Sequence, residues 1–178
     1  MDLIVEPGPE GRAPYLWQAR WGAEHFACAI GRGGTVPALA KREGDGATPL
    51  GAWAMESLFW RPDRGAKPDC GLPARPLAPG DGWCDAPLDP AYNSLVQRPY
   101  PASHEALWRA DALYDLLVVL DHNRHPALPF AGSAIFLHCA RPGYPPTAGC
   151  VALARGDLER VLAGARPGDR VVVRGRPA

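Results

Sequence analysis

Proline and glycine divide this chain into short segments. The 178 residues include 21 prolines and 20 glycines, and the proline content is far above that of an average globular protein. Proline ends helices and interrupts sheet ladders, so the apolar runs between these breaks are limited in length. Several of these runs are of strand type, which favours strands joined by many turns over a helical bundle. We therefore expect a mainly β fold with one or two short helices.

The expected elements follow the apolar runs. Strands are predicted at 3–5, 53–60, 114–120, 132–140 and 171–173, with a hairpin that turns at 21–23. A helix is predicted after Asp157, which we take as its N-cap, and it ends at Pro167 and Gly168. His104 is a candidate start of another helix. Residues 61–101 are rich in proline and glycine and have little periodicity, which predicts either a cleft wall or lid, or a mobile insertion.

Charge and composition exclude several classes of function. Lys and Arg together number 19, as do Asp and Glu, and this balance gives no support to a nucleic-acid partner. No apolar run reaches transmembrane length. The N-terminus lacks the basic and long apolar regions of a signal peptide, which predicts a cytoplasmic location; export by an unseen route would place the chain in the periplasm or cell wall. We expect one domain over 1–178 and leave the oligomeric state open.

The stretch LHCARPGYPPTAGCVALARGD, residues 137–157, carries the residue types of a cysteine nucleophile and its base. His138 ends an apolar run, and a spacing of twelve residues lets the loop fold back and bring Cys150 beside it. Gly149 permits a tight turn, and main-chain N–H groups around Gly149 and Cys150 could stabilise an oxyanion. The residue types alone leave an inert buried thiol equally open, because most buried cysteines are unreactive.

A metal site is the other alternative for these residues. It would use His122, His125, His138 and Cys139, but only the first two have the spacing of ligands, and Pro126 follows them directly. Five cysteines without a CxxC pair also argue against a disulfide framework. We expect no metal and no cofactor.

The segment IFLHCARPGYPPTAGCVAL resembles the active-site segment of the L,D-transpeptidase catalytic domain (YkuD-type), in which a histidine on a strand precedes Ser/Thr-x-Gly-Cys. Here the motif falls on His138 and on Thr147, Ala148, Gly149 and Cys150. Upstream, KREGDGATPLGAW resembles the Lys…Gly-Asp-x-x-Thr-Pro-x-Gly signature of the family, and LERVLAGARPGDRVVVRG resembles its closing helix and strand. Departures occur at Cys139, Ala148 and Ala152, and the loop is shorter than in many members.

The resemblance implies a YkuD-like β-sandwich of mixed sheets that acts on peptidoglycan stem peptides or muropeptides. Cys150 would attack the L,D bond before the terminal D-alanine, and His138 would be its base, oriented by the main-chain carbonyl of Cys139. The thioester would pass to an amine in a transpeptidase, or to water in a cytosolic L,D-carboxypeptidase. A non-catalytic peptidoglycan-binding module with the same fold is the rival.

Further candidate residues lie in or near the same loop. Thr147 and Ala148 belong to the motif, whereas Tyr144 and Arg141 lie inside the loop. Arg141 could meet a substrate carboxylate, although a solvated loop arginine is the plainer alternative. Asn123 precedes a loop that could reach the cleft, and a surface role is its alternative. We expect Lys41, Asp45 and Thr48 to be structural.

Overall fold

The computed structural model describes residues 1–8 and 16–175. Within them lie thirteen strands, one α-helix and a short 3-10 helix. The strands are β1 (Asp2–Pro7), β2 (Leu16–Trp21), β3 (Glu24–Ala29), β4 (Thr35–Pro37), β5 (Thr48–Trp60), β6 (Ala74–Pro76), β7 (Asp81–Cys84), β8 (Leu95–Gln97), β9 (His104–Ala106), β10 (Leu116–Leu120), β11 (Phe136–Cys139), β12 (Val151–Leu153) and β13 (Arg170–Val173), and the helices are the 3-10 helix Ala38–Ala40 and α1 (Arg155–Gly164).

The large sheet curls back on itself. Its order is β10-β11-β12-β3-β2-β1-β13-β5-β4, and β10 also pairs with β5, so the sheet forms a barrel-like ring. The sheet is mixed, with parallel pairs such as β11 with β12 and antiparallel pairs such as β2 with β3. The mainly β prediction with mixed strand directions and a single described α-helix is confirmed, and so is the hairpin between β2 and β3.

The proline-rich segment 61–101 contains ordered strands. It holds β6, β7 and β8, and β7 pairs on its two sides with β8 and β9 to form a three-stranded sheet. His104 begins β9 and does not begin a helix, so that prediction is wrong. The register places Glu105 opposite Trp83, and the aromatic side chain is buried under the small sheet. Long-range pairing with β7 therefore decides the structure of this segment.

The helix begins earlier than predicted. α1 starts at Arg155 with Ala154 as its N-cap, and the N–H of Leu158 donates to the Ala154 carbonyl. Asp157 therefore lies in the first turn and does not cap the helix. The predicted apolar face is present, because Leu158, Val161 and Leu162 are all buried.

Two apolar clusters form the core of the part of the chain that the structure describes. The larger cluster lies inside the ring and under α1, and the smaller one packs around Phe136 beneath the small sheet. Trp83 and Tyr114 contact the Phe136 ring edge-on in this smaller cluster, to which Cys150 also belongs. No helix among the described residues is long and apolar enough to cross a membrane.

Candidate active site

Adjacent parallel strands carry His138 and Cys150. In the register of β11 and β12, Leu137 lies opposite Val151 and His138 lies opposite Ala152. Cys150 directly precedes β12, so its side chain points to the same face of the sheet as Ala152 and His138. The predicted return of the loop thus brings the thiol and the imidazole to one face.

His138 is held by its own main chain. Its Nδ1 lies 2.9 Å from the carbonyl oxygen of Cys139, which can only accept a hydrogen bond. Nδ1 therefore carries the hydrogen, and Nε2 is the basic nitrogen of the neutral ring. The ring of Tyr114 contacts the imidazole edge-on, with 5.4 Å between the centroids. The carbonyl after the histidine thus takes the orienting position that a carboxylate occupies in a Ser-His-Asp triad.

The Cys150 thiol is hydrogen-bonded to main-chain atoms in the resting state. Its Sγ donates to the carbonyl oxygen of Ala134 at 3.1 Å and accepts from the N–H of Phe136 at 3.4 Å. Cys150 is 7% exposed and His138 is 2% exposed, so solvent and substrate reach them only through the adjoining cavity. The sulfur must leave the Ala134 carbonyl when its proton is removed.

Burial keeps both groups uncharged. It lowers the pKa of His138 to about 4, and the hydrogen bond to the Cys139 carbonyl offsets only part of this effect. Burial and, next, the negative charge of Glu105 raise the pKa of Cys150 to about 12, against the N–H of Phe136. The resting site therefore holds a neutral thiol and a neutral imidazole, and not the preformed thiolate of some cysteine enzymes.

Thr147 fixes the turn that presents the thiol. Its Oγ1 donates to the Cys150 carbonyl at 2.7 Å and accepts from the Gly149 N–H at 3.1 Å. Gly149 has a φ of +139°, and a Cβ there would lie 2.9 Å from the carbonyl oxygen of Ala47. Only glycine combines this conformation with so close a backbone approach.

The upstream signature supports this turn from behind. Thr48 is fully buried, and its Oγ1 accepts the N–H of Gly31 at 2.9 Å. Gly31 forms a parallel bridge with Thr147. Lys41 Nζ lies 2.6 Å from Asp45 Oδ1, and although partial burial opposes it, hydrogen bonds from Lys41 and the main chain lower the pKa of Asp45. Lys41 also lines the cavity, so the purely structural role of this residue stays a prediction.

The dyad opens into a cavity of about 350 Å³. Its lining includes five of the predicted site residues, namely His138, Arg141, Thr147, Ala148 and Cys150. Gly149 lies behind the turn against Ala47 and Ile135. No group of three or more His, Cys, Asp or Glu side chains within residues 1–8 and 16–175 is arranged to hold a metal ion.

Two predicted substrate contacts lie outside the cavity lining. The Asn123 side chain donates to the carbonyls of Leu128 and Gly132 and accepts the N–H of Leu128, so it closes its own loop. Tyr144 adopts a φ of +51° at a turn where its N–H donates to the Arg141 carbonyl. The Asn123 side chain and the Tyr144 main chain therefore belong to loops outside the cavity lining.

The cavity also contains charged residues that sequence reasoning missed. Arg32 and Arg109 line it beside Arg141, and Asp85 and Glu105 line it from the small sheet. Arg109 and Arg141 both bind Asp111. The missed residues come from loops and from β9, far from the motif in sequence, and no local pattern joins them to it.

A neutral cysteine and histidine that share one buried face and one cavity define a site suited to acyl transfer through a thiol. The family model of the L,D-transpeptidase catalytic domain (YkuD) matches residues 7–173, nearly the whole chain, so the chain belongs to this family. It is a family of cysteine acyltransferases and peptidases that is linked to peptidoglycan. A search of curated proteins finds no match.

Proposed function

We propose that this chain is an L,D-transpeptidase that transfers the acyl group of a peptidoglycan stem peptide through a Cys150 thioester. The observation that carries the proposal is the Nδ1–H of His138 on the Cys139 carbonyl, which leaves Nε2 as the base on the face of Cys150. A water-using L,D-carboxypeptidase would employ the same two residues, as would a hydrolase of another peptide. A binding module would need neither.

The first half-reaction starts from the neutral pair. Cys150 Sγ attacks the carbonyl carbon before the terminal D-alanine while its proton passes to His138 Nε2, so no separate thiolate forms beforehand. The carbonyl oxygen becomes an oxyanion, and main-chain N–H groups of the turn at Gly149 and Cys150 are its proposed donors. The imidazolium then gives its proton to the leaving nitrogen, the C–N bond breaks, and D-alanine departs.

The charges of the cavity support a substrate that carries carboxylates. Arg32 is exposed at the cavity and forms no ion pair with any residue in the described part of the chain. Arg141, the predicted carboxylate contact, is half-exposed and shares Asp111 with Arg109. Stem peptides have carboxylates at their D-alanine end and on their diamino acid, and a guanidinium binds such groups with paired hydrogen bonds.

Release of D-alanine from a tetrapeptide muropeptide tests the proposal. We expect wild type to release it, and Cys150→Ala to reduce release to background because the nucleophile is gone. Cys28→Ala is the matched control, since Cys28 is a buried free cysteine of β3 away from the cavity lining. Release by Cys150→Ala at the wild-type rate would exclude Cys150 as the nucleophile, and muropeptide binding without any turnover by wild type would favour the binding module.

A further inference from the structure

The small sheet turns two carboxylates toward the dyad. In the pairing of β7 with β9, Glu105 lies opposite Trp83, and the Asp85 N–H donates to the Ser103 carbonyl one step further along. Side chains two residues apart on a strand share a face, so Asp85 projects on the side of Trp83 and Glu105. Both carboxylates line the cavity that contains Cys150. The negative charge of Glu105 raises the pKa of the Cys150 thiol, so this carboxylate lies close to the nucleophile.

Neither carboxylate forms an ion pair within the described part of the chain. Glu105 Oε1 accepts a hydrogen bond from the Tyr114 hydroxyl at 2.6 Å, and the positive charge of Arg109 acts on this carboxylate from beyond ion-pair distance. Asp85 Oδ1 is buried and has no hydrogen-bond partner among the described residues. Burial raises the pKa of Glu105 against the Tyr114 hydrogen bond and the positive charge of Arg109, and the nearby Asp85 raises it further. A buried acceptor oxygen without a partner, such as Asp85 Oδ1, is costly, and a bound cation that donates to it would remove that cost.

Ser133 provides an independent sign of a missing ligand on the same cavity. It is 7% exposed and lines the cavity, and its Oγ makes no well-aligned hydrogen bond with a described residue, although the Tyr92 hydroxyl is close. A hydroxyl and two carboxylates all accept hydrogen bonds, and an alkylammonium group offers three donors and one positive charge. The two carboxylates therefore suit a primary ammonium group, and Ser133 adds a hydroxyl to the lining of the same cavity.

We propose that Asp85 and Glu105 form the subsite that binds the amine acceptor as its ammonium ion and deprotonates it, so that the thioester passes to an amine and not to water. This inference rests on the proposed function, because it requires an acyl group on Cys150. The first half-reaction does not need an ammonium group at this position. The subsite therefore acts on the choice of acceptor.

The proton and bond changes of the transfer are balanced. The acceptor ammonium gives one proton to the Glu105 carboxylate, which later releases it to solvent. The free amine nitrogen attacks the thioester carbonyl carbon, a C–N bond forms, and the C–S bond breaks. The second proton of the nitrogen passes through His138 to Cys150 Sγ and restores the thiol. A general base of this kind contributes about 10²- to 10⁴-fold to a rate.

The test measures the ratio of amide product to hydrolysis product by mass spectrometry, with a tetrapeptide muropeptide as donor. A muropeptide with a free diamino-acid amine is the charged acceptor, and hydroxylamine, uncharged at neutral pH, is the second acceptor. We expect Glu105→Gln and Asp85→Asn each to lower the ratio with the muropeptide amine at least tenfold. The ratio with hydroxylamine should change far less, because that nucleophile needs no deprotonation before attack.

Glu43→Gln is the matched control. Glu43 lines the same cavity, but its carboxylate already accepts a hydrogen bond from the Tyr92 hydroxyl. Thermal unfolding of all three variants checks that they fold. An unchanged ratio in folded Glu105→Gln and Asp85→Asn would overturn the subsite, and so would an equal fall in Glu43→Gln. If wild type forms no thioester on Cys150, the proposed function fails, and the subsite fails with it. A thioester that forms and only hydrolyses overturns the subsite and favours the carboxypeptidase, while Cys150 remains the nucleophile.

Discussion

The Nδ1 of His138 donates to the main-chain carbonyl of Cys139, the next residue along the same strand, at 2.9 Å. This bond selects the tautomer in which Nε2 is basic and fixes the ring on the face that it shares with Cys150. Because the acceptor is a main-chain oxygen, cysteine can occupy position 139 without loss of the orienting contact. The departure of this chain from the family at position 139 is therefore compatible with an intact dyad.

The pH dependence of thiol alkylation should reveal a neutral resting pair. Burial raises the pKa of Cys150 to about 12, so its reaction with iodoacetamide should keep accelerating from pH 7 to pH 10. A thiolate and imidazolium pair would instead give a plateau at neutral pH. Peptide mapping by mass spectrometry follows Cys150 separately from the partly exposed Cys70. A plateau below pH 8 would contradict the neutral pair.

The acid limb of activity should lie well below the ordinary pKa of histidine. Because burial lowers the pKa of His138 from 6.5 to about 4, the imidazole stays neutral and able to act as a base through mildly acidic pH. We expect kcat/KM for D-alanine release to fall only as the pH approaches about 4. A limb centred at pH 6 to 7 in folded protein would contradict this.

Folding stability provides the control for that profile. Between pH 6.5 and about 4 the unfolded chain protonates His138 but the folded chain does not, so stability should fall as pH falls through this window. Circular dichroism at each pH separates loss of fold from loss of the base. The pH dependence of the melting temperature should be shallower in His138→Gln.

Loss of the Thr147 hydroxyl should loosen the catalytic turn. Thr147→Val removes both the bond to the Cys150 carbonyl and the bond from the Gly149 N–H, at about 1 kcal/mol each in folding free energy. We expect D-alanine release to fall by tenfold or more in a protein that still folds. Thr147→Ser keeps the hydroxyl and should retain most of the activity. An equal loss of activity in both variants would contradict the proposed role of the hydroxyl in holding the turn.

Gly149→Ala should destabilise the fold. Alanine at a φ of +139° is strained, and its Cβ would lie 2.9 Å from the Ala47 carbonyl oxygen, so we expect a cost of about 1–3 kcal/mol or more in the free energy of unfolding. Gly156→Ala is the control, because nothing lies within 4 Å of a Cβ there and alanine favours helix. Urea denaturation compares the two variants, and equal stability would contradict the strain.

The sequence was most informative where local patterns decide the structure. Apolar runs marked β10, β11 and β13, and the motif located the dyad together with the Cys139 carbonyl that orients His138. Local patterns failed at β9, because its pairing with β7 depends on residues about twenty positions apart. Asp85 and Glu105 were missed for the same reason, since only that pairing carries them to the cavity.

The mass of the intact protein after mixing with a tetrapeptide muropeptide tests the central claim most directly. We predict a covalent adduct equal to the donor minus D-alanine, located on Cys150 by peptide mapping and absent from Cys150→Ala. His138→Ala should form it much more slowly, because the thiol then lacks the base that takes its proton. An adduct on another residue, or D-alanine release without any adduct in rapid-quench samples, would contradict the account.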